Sequence, residues 1–148
     1  MAEWEPTEDQ LSGIYAMFWR LVEIMVHRYG SFPTAHLLTM LTIVLLDRAG
    51  YHPTVGELAD ITRLPKSSVS RYVATDMNSG FIEEIIDPND RRRRRLHPTL
   101  KSREEQEWQL GKILEVLEMS TQVYGGHGKT ENPADDLKRI LRGISESA

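Results

Sequence analysis

The most chemically pronounced residues of this 148-residue chain are cationic and hydroxylic. Five consecutive arginines stand at Arg91 to Arg95, and Lys66, Ser67, Ser68, Ser70 and Arg71 crowd one short stretch upstream. Adjacent guanidinium groups repel one another and gain most when a polyanion neutralises them. Arginine also suits a narrow minor groove, whose negative potential attracts it. Small hydroxyls allow close approach to base edges, and lysine or arginine supplies donors to them. The indicated chemistry is noncovalent recognition of phosphates and bases. A polar surface helix and a solvated basic loop are the plain alternatives for the two stretches.

No catalytic constellation competes with this. The histidines at 27, 36, 52, 97 and 127 include no i, i+4 pair and no HExxH, and neither GxSxG nor GxxxxGK[ST] occurs. His27 or His36 with Glu23 is a conceivable metal set, but isolated histidines on packed helices more often serve as hydrogen-bonded core residues. No metal, no cofactor and no enzymatic activity are expected.

The elements that must position the cationic residues follow from pattern. Thr54 with Glu57 three residues on has capping-box spacing, and Val55, Leu58, Ala59 and Ile61 give a short apolar face. After the turn TRLP, Pro65 suits the first position of a second helix. Val69, Tyr72, Val73 and Met77 then turn inward, and Gly80 ends the helix at C′. In a helix-turn-helix the N-terminal residues of the second helix reach base edges, which assigns that role to Ser67, Ser68, Ser70 and Arg71. Lys66 and Thr54 are candidate phosphate contacts, Thr54 through its place at a helix N-terminus. Phe81 to Ile86 has strand composition, Asp87-Pro88-Asn89-Asp90 has turn chemistry, and Arg95-Leu96-His97 returns until Pro98 and Thr99 stop it. The hairpin carries Arg91, Arg92, Arg93 and Arg94 as candidate DNA contacts. Asp87 and Asp90 are expected to pair with Arg91 or Arg92 and stiffen the loop, Arg91 being the candidate structural arginine. Tyr51-His52-Pro53 is a candidate third, very short strand.

With VGELAD, KSSVSRYV, NSGFIEE and DPNDRR in this order, the stretch resembles the MarR family of bacterial winged-helix transcription regulators. The resemblance covers about a third of the chain, and DPNDRR is its most specific part. Two positions depart from the family pattern. The run of arginines is more basic than the usual wing, and Pro98 replaces an apolar residue before Thr99, which points to a longer or looser wing. The resemblance implies a homodimer joined through terminal helices, and a small-molecule effector binding between those helices and the winged domain. It implies no particular effector-binding residue.

Charge distribution agrees with a nucleic-acid partner. The net charge is −4. Residues 63–103 nevertheless hold ten basic and five acidic residues, net +5, against 8 and 17 elsewhere, net −9. This asymmetry suggests a basic face on an acidic body. There is no cysteine, which excludes disulfides and thiol redox sensing. No apolar run approaches the ~20 residues of a membrane span, and the acidic start MAEWEPTEDQ argues against a signal peptide, so a cytoplasmic location without membrane contact is expected.

Outside the winged stretch the chain reads as helix. Thr7 to Gln10 is a capping box, and Leu11, Ile14, Phe18, Leu21 and Met25 form a stripe that Tyr15, Met17, Val22 and Val26 broaden, to a stop at Gly30. Such a width suits packing against both C-terminal helices and a second subunit. Trp4 and Trp19 read as packing residues. Thr34 caps a second helix that is apolar nearly all round, expected to be the most buried. Thr99 caps a long helix to about Tyr124, a loop follows at Gly125 to Thr130, and Asn132-Pro133 opens a last short helix through Leu137, Ile140, Leu141 and Ile144. The expected architecture is mainly α, of the winged helix-turn-helix type. A three-helix core with a β-hairpin wing spans 34–98, and a helical dimerisation region is formed by 1–33 and 99–148. The expected function is sequence-specific binding of double-stranded DNA by a homodimeric regulator, a repressor. The alternative is the same module binding DNA or protein without sequence preference or effector.

Overall fold

The computed structural model describes residues 5, 7–124, 134, 138, 141 and 142. Its elements are α1 (Glu8–Tyr29), α2 (Thr34–Arg48), α3 (Val55–Thr62), α4 (Lys66–Asn78), β1 (Ile82–Ile86), β2 (Arg94–Pro98) and α5 (Leu100–Tyr124). The loop expected at Gly125 to Thr130, Trp4 and, save isolated positions, the last helix lie outside the described residues. The chain divides into two compact units, residues 1–31 with 109–148, and residues 32–108.

In the first unit α1 starts at the expected capping box. Thr7 Oγ1 accepts from the Gln10 N–H at 3.2 Å, and Gln10 Oε1 accepts from the Thr7 N–H at 2.9 Å. Gly30 ends the helix at φ 74°, with its N–H donating to Val26 O. The broad apolar stripe splits. Leu11, Leu21 and Met25 are half-buried, whereas Ile14, Tyr15, Phe18, Val22 and Val26 are exposed. Leu110, Ile113, Leu114 and Leu117 of α5 are exposed as well. Arg20 is buried and pairs with Glu23, whose other oxygen lies 3.5 Å from His27 Nε2. Glu23 is thus engaged in ion pairing, and the described residues contain no His/Cys/Asp/Glu group able to hold a metal ion.

The second unit is built on Ile43, Leu58, Val69, Val73, Ile82 and Leu96, each at most 3 % exposed. They come from α2, α3, α4, β1 and β2, so burial of about 1.5–3 kcal/mol per side chain ties all five elements together. Contrary to expectation α2 is not the most buried helix: only Thr39 and Ile43 are buried, against four residues of α4, and Leu38, Leu41 and Leu45 face solvent. Its neighbours α3, α4 and β2 cover one side of the helix. Thr39 tolerates its burial because its hydroxyl donates to Ala35 O at 2.9 Å. Pro33, not Thr34, occupies the N-cap and offers no side-chain bond. A Schellman closure ends α2, with Gly50 N–H on Asp47 O and Tyr51 N–H on Leu46 O.

The sheet has two strands, paired antiparallel with Ile82 opposite Pro98 and Ile86 opposite Arg94. Pro98 closes the ladder as its last paired residue, so the strand is not shortened by it. Tyr51 to Pro53 adds one backbone bond, Leu96 N–H to Pro53 O at 2.8 Å, and no third strand. Proline has no N–H to return to a ladder. Among the described residues no single helix is long and apolar enough to cross a membrane.

Candidate nucleic-acid interface

The helix-turn-helix is locally determined at each joint. Thr54 caps α3, its hydroxyl accepting from the Glu57 N–H at 3.2 Å. α3 ends at Arg63, which sits in the left-handed region at φ 57°, a conformation uncommon for a residue with a Cβ. Pro65 is the N-cap of α4 rather than its first helical residue, and its carbonyl accepts from the Ser68 and Val69 N–H groups. Val69, Tyr72, Val73 and Asp76 are the buried face of α4. Lys66, Ser67, Ser70 and Arg71 are exposed, and Ser68 is half-buried at the flank. Gly80 at φ 80° completes a second Schellman closure: its N–H meets Met77 O and the Phe81 N–H meets Asp76 O.

Asp76 was not among the residues singled out, and it is the one buried acid of α4. Both its oxygens are held by His36 Nε2, at 2.8 and 2.9 Å. The His36 ring stacks on Tyr72 at 4.9 Å and meets Phe32 edge-on at 5.9 Å. Burial pushes the Asp76 carboxyl above its ordinary value, and the hydrogen bond and charge of His36 oppose that rise. The pair pins α2 to the back of α4, which answers what His36 does.

The wing distributes its arginines unequally. The ion pair expected between Asp87 or Asp90 and Arg91 or Arg92 does not form. Asp87 instead takes Arg95, with Nε at 2.7 Å from Oδ2, while Arg95 Nη1 donates to His52 O at 2.8 Å and the guanidinium lies over the Tyr51 ring. Register explains the choice. Arg95 stands opposite Ile85, so Asp87 is its diagonal neighbour on the same face, and Arg91 belongs to the tip. The Asp87 carboxyl is held below its ordinary value by the Asn89 N–H and then by Arg95. Asp90 serves the backbone: its side chain accepts from the Arg92 N–H and its carbonyl from the Arg93 N–H, both at 3.0 Å. Arg93 Nη2 lies 3.2 Å from Glu57. Arg91, Arg92 and Arg94 are exposed, and among the described residues no ion pair engages them.

Thr54 and the exposed face of α4 belong to the same unit as this wing. A helix-turn-helix followed by a basic antiparallel hairpin defines a winged helix-turn-helix protein. The MarR family model matches residues 37–93, from α2 through the wing tip. The solved structures agree in fold. YusO from Bacillus subtilis is 19% identical with a TM-score of 0.57, over 97% of this chain and all of that one. MarR from E. coli in its apo form is 15% identical with a TM-score of 0.54, over 96% and 98%. A MarR-like transcriptional regulator from Thermotoga maritima is 19% identical with a TM-score of 0.53, over 97% and 95%. No curated protein matches the chain by sequence. The chain has the mainly α, winged-helix fold of these structures, and the family match covers its helix-turn-helix and the wing as far as its tip.

Proposed function

We propose that this chain is a homodimeric repressor that reads pseudo-palindromic sites in double-stranded DNA and is released or retained by a small-molecule effector. The observation that carries the DNA reading is the exposed cationic and hydroxylic set in one unit: Lys66, Ser67, Ser70 and Arg71 on α4, with Arg91, Arg92 and Arg94 on the wing. In this reading Arg71 and the serines, Ser68 included, meet base edges. Lys66 and Thr54 meet phosphates, and the wing arginines, Arg93 among them, enter or flank the minor groove. The exposed apolar residues of α1 and α5 support self-association through residues 1–33 and 99–148. A two-fold dimer would set two α4 helices about 34 Å apart, one turn of DNA. The repressor role and the effector rest on the family reading. A cytoplasmic location follows from DNA as partner.

The test is selection of bound genomic fragments at about 150 mM salt, where purely electrostatic binding is weak. Enrichment of one pseudo-palindrome is the expected result. Uniform recovery of fragments would replace this reading by a non-specific DNA-binding module.

A further inference from the structure

Glu57 gathers partners from three parts of the winged unit. The Thr54 hydroxyl donates to its Oε1 at 3.2 Å, and the Tyr51 phenol donates to Oε2. Arg93 Nη2 lies 3.2 Å from Oε1 and Arg95 Nη1 3.8 Å from it. Among the described residues, Glu57 is the only carboxylate of the helix-turn-helix that pairs with a wing arginine. A half-exposed ion pair contributes little by itself. This carboxylate, however, is fixed from behind by the Thr54 and Tyr51 hydroxyls, so the guanidinium that meets it is fixed too. Arg95 has other anchors in Asp87 and His52, whereas among the described residues Glu57 is the only partner of the Arg93 side chain. That side chain is 48% exposed, and a guanidinium has five donors, so donors remain free for a phosphate.

We propose that Glu57 is a positioning residue for the wing. It holds the Arg93 guanidinium in the orientation that meets the DNA backbone, and through Arg93 it ties the wing to the first helix of the helix-turn-helix. The proposal rests on the DNA-binding reading and makes a prediction of unusual sign. A carboxylate beside a polyanion is repulsive, so on charge alone its removal tightens binding. Positioning requires that its removal weaken binding.

The experiment measures affinity for a mixed-sequence duplex of about 30 base pairs by fluorescence anisotropy, from about 50 to 200 mM salt. The variants are Glu57→Gln, Arg93→Gln and the two combined. Glutamine at this position keeps the capping hydrogen bonds, and thermal melting confirms that each variant is folded. Glu57→Gln is expected to bind about three- to tenfold more weakly, with a salt slope smaller by about 0.9. The combined variant is expected to match Arg93→Gln alone. Tighter binding by Glu57→Gln, or independent losses that add in the combined variant, would overturn the proposal. Amide exchange reads the wing without DNA. Glu57→Gln is expected to speed exchange of the Arg93 and Leu96 amides while leaving Val73 unchanged, and unaltered wing exchange also overturns it. If the wild-type chain fails to bind the duplex while wing exchange responds as expected, the DNA-binding reading falls and the anchoring of the wing by Glu57 stands.

Discussion

His36 and Asp76 form the hydrogen-bonded pair on which the rear of α4 rests. Removing the histidine would leave a buried carboxylate without its partner, and breaking a buried pair from one side typically costs about 3–5 kcal/mol. His36→Ala is therefore expected to lose about 3 kcal/mol by denaturant unfolding at neutral pH. The loss depends on pH with a definite sign. The Asp76 carboxyl is already raised above the ordinary 3.8 by burial, against the opposing pull of His36. A folded-state pKa above the unfolded one means that stability is lost as pH rises from the ordinary value through the raised one. Without His36 the opposing pull is gone and that window extends upward. The penalty of His36→Ala should thus shrink as pH falls from neutrality toward the ordinary carboxylate value of 3.8, and Asp76→Asn should abolish the difference. A pH-independent penalty would mean that the pair matters only for packing. On the outer face of the same helix, Arg71→Ala should cost about 1–3 kcal/mol on a selected site and broaden base preference there. An unchanged site preference would displace the reading register along α4.

At the scale of elements the wing separates cations that fold from cations that bind. Neutralising Arg91 and Arg92 together should weaken all DNA sequences alike and lower the salt slope by about 1.8. Arg95→Gln should instead loosen the wing, because Asp87, His52 and the Tyr51 ring all hold that residue. Amide exchange at Leu96 distinguishes the two cases: it should quicken in Arg95→Gln and stay unchanged in the double variant. The helix-turn-helix and hairpin were legible because their signals are local: the cap at Thr54, the inward set Val69, Tyr72 and Val73, the stop at Gly80, the turn at Asp87 to Asp90. What escaped depends on register and distance in the chain. Which arginine pairs with Asp87 is fixed by where β2 begins, a one-residue matter that composition cannot resolve. Glu57 reads from sequence as a helix cap, and its second task appears only when the wing folds back across 36 residues to reach it. His36 and Asp76 are 40 residues apart, and neither position carries a pattern that names the other. The burial of α2 was overestimated for a related reason: apolar character all round a helix shows that both sides need cover, not that one chain provides it.

For the whole molecule the unanswered surface is apolar. Tyr15 is 74% exposed, Phe18 62% and Leu114 60%, with Ile14, Val22, Val26, Leu110, Ile113 and Leu117 also open in the same unit. Contiguous apolar patches beyond a few hundred Å² are uncommon on monomers, and stable two-fold interfaces bury roughly 1,200–2,000 Å² or more. A second copy presenting the same two helices would cover this surface by self-complementarity. It would also give DNA recognition its second half-site. The expectation is specific: Phe18→Lys with Leu114→Lys converts a dimer into a monomer in sedimentation equilibrium. The monomer should keep weak, salt-sensitive binding to any duplex, because the winged unit with its own core is untouched, yet lose the preference for a pseudo-palindrome. Leu41→Lys, which places the same charge on the exposed side of α2 in the other unit, serves as the control and should remain dimeric. A double variant that stayed dimeric would assign self-association to other residues. One that became monomeric yet still preferred the pseudo-palindrome would separate specificity from symmetry, since a single α4 would then be reading the site alone.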